Sequence, residues 1–137
     1  HHQYVFFIWA GDSRVYRLRN EKFELMTCDH TVAQERCALG EMTSEEAAVH
    51  PSAHVLTRAV GVHQTLHLDL DYDTVQPGDR YLLCSDGLYE SLQDSEIRTS
   101  LGQGSIENAR DQLIERSLSS GGHDNITGLI VEAVAPN

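Results

Sequence analysis

A chain of 137 residues has the size of one domain, and 40% hydrophobic with 23% charged residues is the composition of a packed core, not of a disordered segment. Ten Lys and Arg stand against 21 Asp and Glu, a formal charge of −11, which disfavours a nucleic-acid backbone or an anionic membrane as partner and suits cations. Cys28, Cys37 and Cys84 are odd in number and lack Cys-x-x-Cys spacing, so a disulfide framework and a zinc knuckle are disfavoured and reduced thiols in a cytoplasmic protein are expected.

The apolar run Tyr4–Ala10 is far shorter than the ~20 residues of a membrane span, and no signal peptide is expected. His1 and His2 are either tag-derived or native and carry no argument. Tyr4–Ala10 is rich in aromatic and β-branched residues, is apolar on both faces and stops at Gly11-Asp12, so a buried strand ending in a tight turn is expected. Val15–Leu18 and Phe23–Met26 alternate around a turn at Asn20–Lys22, which extends the reading to an antiparallel meander.

Thr31–Gln34 has the spacing of a helix-capping box, with closure expected at Gly40; Thr43–Glu46 repeats the spacing ahead of a short helix halted before Pro51. Leu66–Tyr72 alternates strictly, as a half-buried strand should, and Pro77–Asp79 is a turn. Tyr81–Cys84 suits a central strand, Asp94 is expected to cap a short helix, and Ser105 to open a longer one. In that longer helix Ile106, Ala109, Leu113, Ile114 and Leu118 form one stripe, ending at Gly121-Gly122. Ile126–Val134 reads as a last strand. Strands and helices without regular βαβ alternation indicate an α+β fold with a largely antiparallel sheet.

Three short constellations combine carboxylates with strand ends: Gly11–Arg14, Ser85–Leu88 and Gly121–Asn125. Each taken alone reads more readily as a glycine turn than as a site. Together they place Asp12, Asp86 and Asp124 at three strand ends that can meet at one edge of a sheet, and such oxygen ligands are what Mg²⁺ and Mn²⁺ select.

Trp9–Tyr16 (WAGDSRVY), Cys28–His30 (CDH), Thr43–Ala47 (TSEEA), Val55–Ala59 (VLTRA), Pro77–Asp79 (PGD), Leu83–Leu88 (LCSDGL) and Gly122–Thr127 (GHDNIT) resemble, in order, the motif series of bacterial type-2C metal-dependent protein serine/threonine phosphatases. The resemblance runs from Trp9 to about Val134. It implies a β-sandwich flanked by helices, incomplete at the amino terminus, with residues 1–137 forming the carboxy-terminal part of a single catalytic domain. It also implies hydrolysis of phosphoserine and phosphothreonine in proteins by a water activated between two Mn²⁺ or Mg²⁺ ions, with a third ion nearby. Asp86 and Asp124 correspond to ligands of the two-metal centre and Asp12 to a third-site ligand. Glu90 stands at another third-site position, where many relatives carry Asp.

Segment 30–58 corresponds to a flap beside the active site, with His50 and His54 on its surface and contact with substrate phosphate as a minor option. The acidic ligand pair, the Asp-Gly-x-Gly-Gly type motif and the phosphate-contacting arginine of the family's amino-terminal half do not occur here, so the 137-residue chain alone is expected to be inactive and to self-associate through uncovered apolar faces. Phosphorylated Ser/Thr proteins, and with them a cognate protein kinase, are the implied partners. The competing reading is a non-catalytic phosphoprotein- or kinase-binding module that retains the fold. Cys84 beside Ser85 reads as core packing.

Overall fold

A computed structural model describes residues 3–121 and 124–135. Two antiparallel sheets face each other. One pairs β1 (Gln3–Trp9) with β4 (Asp69–Val75), Trp9 opposite Asp69 and Gln3 opposite Val75. The other has the order β3-β2-β5-β6, built from β2 (Arg14–Arg19), β3 (Lys22–Leu25), β5 (Arg80–Cys84) and β6 (Gly128–Glu132). Among the described residues five helices complete the fold: α1 (Val32–Ala38), α2 (Ser44–Ala48), α3 (Asp86–Tyr89), α4 (Asp94–Gly102) and α5 (Ile106–Ser119). Among the described residues no helix is long and apolar enough to cross a membrane.

The α+β architecture and the central place of β5, between β2 and β6, are as the sequence implies. The meander is not. β2 and β3 form a hairpin about Asn20 and Glu21, both at positive φ, but β1 leaves that sheet and pairs with β4. Gly11, at φ +105°, carries the chain from one sheet to the other where a hairpin is expected.

Nor is β1 buried on both faces. Phe7 is 6% exposed and packs on Val15 and Tyr81 between the sheets, whereas Tyr4, Phe6 and Ile8 point outward beside Leu70 and Tyr72 of β4, all of them exposed. Apolarity on both faces of a strand records what the strand contacts, and here the outer face has no covering layer among the described residues. β4 begins at Asp69, later than the alternating pattern predicts, because Trp9 is the last residue of β1 able to pair. β6 likewise is shorter than 126–134.

The helix-facing side of the larger sheet makes the main core. Tyr16, Leu18, Leu82 and Cys84 interlock with Leu88, Leu92, Ile97, Leu101 and Leu113. Each fully buried side chain of this size is worth about 1.5–3 kcal/mol. In α5, Ala109 and Leu113 are buried, but Leu118 is exposed and Ser117 takes the inward position. The stripe turns with the 3.6-residue period, so a residue nine places after Ala109 has drifted off the core face. In α4 Asp94 is the first helical residue, not the cap; the cap is Gln93, whose N–H donates to the Glu96 carboxylate at 2.9 Å.

Arg17 and Arg19 of β2 both reach Asp73 of β4 and so tie the two sheets together. Arg19 also grips Asp79 with two bonds, 2.7 Å from Nε and 2.6 Å from Nη2, and Asp79 accepts from Gln76 N–H at 2.7 Å. Burial of Asp79, 1% exposed, pushes its carboxyl up, but Arg19 and the Gln76 amide outweigh burial and leave it below the usual range. A carboxyl so depressed stabilises the fold fully above its unfolded value of ~3.9, and that contribution disappears as pH falls through the folded-state value. Asp79→Ala should cost about 3 kcal/mol in urea unfolding at pH 7, because it removes the two-bond partner of a half-buried guanidinium, leaving Nε unpaired and only Asp73 as counter-charge, and takes the acceptor from the Gln76 amide. Asp79→Asn should flatten the loss of stability below about pH 4.

Candidate functional site

The site forms where β5 ends. Ser85 caps α3 in extended conformation, but its hydroxyl makes no capping bond. It reaches across to the chain entering β6, donating to the Asn125 carbonyl at 3.1 Å and accepting from Thr127 N–H at 3.1 Å, while Ser85 N–H donates to the Thr127 carbonyl at 3.1 Å. These three bonds hold Asp124 and Asn125 against the start of α3. Gly87 completes the contact: a Cβ there would lie 2.5 Å from the Asn125 carbonyl oxygen and 3.5 Å from Cβ of Asp124. Asp86 and Asp124 therefore converge although 38 positions apart (124 − 86). Ser85–Leu88, expected as a turn, is one turn of helix, and the Asp86 carboxylate leaves its first residue, accepting only from Gly87 N–H at 2.8 Å among the described groups.

Asp12 joins them from the crossover between the sheets. Burial pushes its carboxyl above the usual range against a backbone hydrogen bond, and the negative charges of Asp86 and Asp29 push the same way. Its turn is braced from below. Tyr89 OH donates to the Asp12 carbonyl at 2.9 Å, and the Arg14 guanidinium lies 3.8 Å over the Tyr89 ring. Arg14 in turn makes a fork of bonds to Asp29, the shortest 2.8 Å. Burial of Tyr89 pushes its hydroxyl well above the usual range, so it remains a donor.

Glu90 stands at the rim, where its carboxylate pairs with His54 Nδ1 at 2.9 Å. A cleft of about 360 Å³ opens there, between Asp12, Tyr89 and Glu90 on one side and Ala33, Ala47 and His54 on the other. His50 turns inward to its own segment, accepting from Ser52 N–H at 3.1 Å. Of the motif 121–125, Gly122 and His123 lie outside the described residues. Arg14, Asp29, Tyr89 and Ser85 received no role from the sequence; Asp29 stands in the CDH motif and Arg14 and Ser85 in others, but side-chain pairing across 15 to 77 positions leaves no local signal.

Three carboxylates of like charge drawn to one sheet end, one with its proton affinity raised, are a donor set suited to hard divalent cations. Among the described residues, however, no group of three His, Cys, Asp or Glu side chains is arranged to hold an ion. The residues fit a metal centre as part of its ligand set.

No family model matches the chain. Protein phosphatase PhpP of Streptococcus pneumoniae is 36% identical over 88 residues, 64% of this chain and 36% of that protein. PppA, described as a key regulatory component of T6SS in Pseudomonas aeruginosa, superposes with a TM-score of 0.84 at 42% identity, over 95% of this chain and 53% of that one. The Mycobacterium tuberculosis serine/threonine phosphatase PstP/Ppp gives 0.89 at 34% identity, over 96% and 56%. A structure of the PstP catalytic domain holding two manganese ions gives 0.82, also at 34% identity, over 96% and 54%. The chain thus spans about half the length of the solved relatives. In sequence and fold it matches the carboxy-terminal part of the bacterial type-2C serine/threonine phosphatases.

Gly87→Ala should separate the two carboxylates, since the obstructing atoms are backbone. The expected loss is about 1–3 kcal/mol of stability, and manganese binding measured calorimetrically in the protein at its full natural length should weaken at the same time.

Proposed function

We propose that this chain is the carboxy-terminal part of a single metal-dependent phosphatase domain that hydrolyses phosphoserine and phosphothreonine in proteins, with segment 30–58 as its flap. The observation that carries the reading is the contact of Gly87 with Asp124 and Asn125, which brings the Asp86 and Asp124 carboxylates to one sheet end in the motifs that resemble the phosphatases. Asp86 and Asp124 would hold two Mn²⁺ or Mg²⁺ ions together with ligands from the part of the relatives that this chain does not span; Asp12, with Glu90 beside it, would serve a third. Bound there, the ions would activate a water for in-line attack on phosphorus and neutralise the charge that develops.

The chain's own residues supply orientation. Ser85 and Gly87 fix the spacing of the two principal carboxylates, and the Arg14, Asp29 and Tyr89 brace fixes the Asp12 turn. The cleft beneath 30–58 offers room for residues that flank the phosphorylated one, with His54 and Glu90 at its mouth. A cysteine nucleophile has no support. Cys84 is buried against α4 and α5, and burial pushes its thiol up to about 12, so it holds its proton at neutral pH.

Phosphorylated Ser/Thr proteins are the proposed substrates, and the kinase that makes them the natural counterpart. The 137-residue chain alone, with no three-ligand group among its described residues, is proposed to be inactive. The outward apolar face of β1 and β4 supports the same division, because it is a sheet face built to be covered.

The test is manganese-dependent hydrolysis of a phosphothreonine peptide by the protein at its full natural length. Asp86→Asn and Asp124→Asn should each lower kcat/KM by about 100-fold or more, since an amide neutralises a cation poorly. Asp12→Ala should act more mildly, raising the manganese concentration required. Unchanged turnover in either Asn variant contradicts the reading, and tight peptide binding with no turnover in the unaltered protein would favour a phosphoprotein-binding module.

A further inference from the structure

His30 is 4% exposed and makes contacts that none of the roles above requires. Gly11 N–H donates to its Nδ1 at 3.1 Å. A backbone N–H only donates, so Nδ1 carries a lone pair and the ring proton sits on Nε2. Nε2 then donates to Asp69 Oδ2 at 3.1 Å, and the other oxygen of Asp69 accepts from Arg58 Nη1 at 2.6 Å. Hydrogen bonds from His30 first, and from Arg58 second, hold the Asp69 carboxyl below its usual range. The Trp9 indole stacks on the imidazole, centroids 6.0 Å apart and planes within 11°, and is itself fixed by a 2.9 Å bond from Nε1 to the Cys28 carbonyl.

The backbone of His30 is committed in the same two directions. Its N–H donates to the Gly11 carbonyl at 2.9 Å, and its carbonyl accepts from Thr57 N–H at 2.8 Å. Val32 N–H donates to the Val55 carbonyl at 2.9 Å, and a Cβ on Gly11 would lie 3.6 Å from the Arg58 carbonyl oxygen. Both ends of segment 30–58 are thus stitched together directly over Gly11, the residue at φ +105° that precedes Asp12.

We propose that His30 is a positioning residue that couples the base of segment 30–58 to the Asp12 carboxylate. Nδ1 holds the Gly11 turn and with it the direction in which Asp12 leaves the chain, while Asp69, Arg58 and Trp9 hold the ring. A shift of Thr57 and Arg58 as the segment moves would carry the ring with it, loosen the Gly11 bond and release Asp12. What lies over the cleft is in this way linked to a carboxylate inside it. The kinetic half of this inference rests on the phosphatase reading; the structural half does not.

Two substitutions separate the two nitrogens. In His30→Asn the amide oxygen falls near the place of Nδ1 and can accept from Gly11, but the side chain is too short to reach Asp69. In His30→Gln the amide reaches Asp69 and leaves Gly11 N–H without its partner. With the protein at its full natural length, hydrogen exchange of the Gly11 amide is measured without metal, and the manganese midpoint for hydrolysis of a phosphothreonine peptide with it. His30→Gln should exchange at Gly11 about tenfold faster, the effect of one lost hydrogen bond, and need several-fold more manganese. His30→Asn should stay within about twofold of the unaltered protein on both, as conservative rescue of one bond requires. Asp69→Ala, at a half-exposed position, keeps the imidazole but removes one of the groups that hold it; it should speed Gly11 exchange by less than His30→Gln does, and guards against a histidine variant that fails to fold. Equal behaviour of the Asn and Gln variants, or faster Gly11 exchange with an unmoved manganese midpoint, overturns the proposal. If the unaltered protein shows no manganese-dependent turnover, the phosphatase reading fails, and Gly11 exchange alone decides whether His30 holds the turn.

Discussion

The site depends on a side chain that is not there. Gly87 lets the start of α3 lie against the Asp124-Asn125 backbone at a distance no Cβ would permit, and Ser85 locks that approach with three hydrogen bonds. The proposed chemistry of the sheet end follows from this contact, because it sets Asp124 against the start of α3, the helix that Asp86 opens. Like charges held together cost free energy in the absence of a counter-charge; at Asp12 burial first, and the charges of Asp86 and Asp29 after it, raise the proton affinity of the carboxyl. On the proposed reading a divalent cation supplies that counter-charge.

The two layers of the fold divide the work. The larger sheet is clamped on α4 and α5 by a continuous apolar core and serves as a rigid platform for β5, from whose end Asp86 projects. The smaller sheet is joined to it by Phe7 and Tyr81 and by the ion pairs of Arg17 and Arg19 with Asp73, while its outer face stays bare among the described residues. Asp12 lies on the crossover between the layers. Its position therefore reports on how they sit, and on the segment that His30 and Arg58 fasten beside it.

Much of the local structure was legible because it is governed by short-range chemistry. Thr31, Thr43 and Ser105 each cap the helix that their spacing announces, and the positive φ of Asn20 and Glu21 makes the turn between β2 and β3. What the sequence did not disclose is set by pairing at long range. Whether β1 joins β2 or β4 is not written in Tyr4–Ala10, since either neighbour satisfies an apolar strand. Asp12, Asp86 and Asp124 stood out as carboxylates at strand ends. The residues that aim them did not, because Ser85, Tyr89 and Arg14 act through partners elsewhere in the chain, and a glycine such as Gly87 reads the same whether it makes a turn or a close approach.

On the proposed reading Asp86 and Asp124 are ligands of one metal centre. Anomalous scattering from crystals of the protein at its full natural length grown with manganese tests it without recourse to turnover. Ions coordinated by carboxylate oxygens of both Asp86 and Asp124 at about 2.0–2.2 Å are expected; manganese absent from both carboxylates, or bound only elsewhere on the surface, would rule out the shared centre.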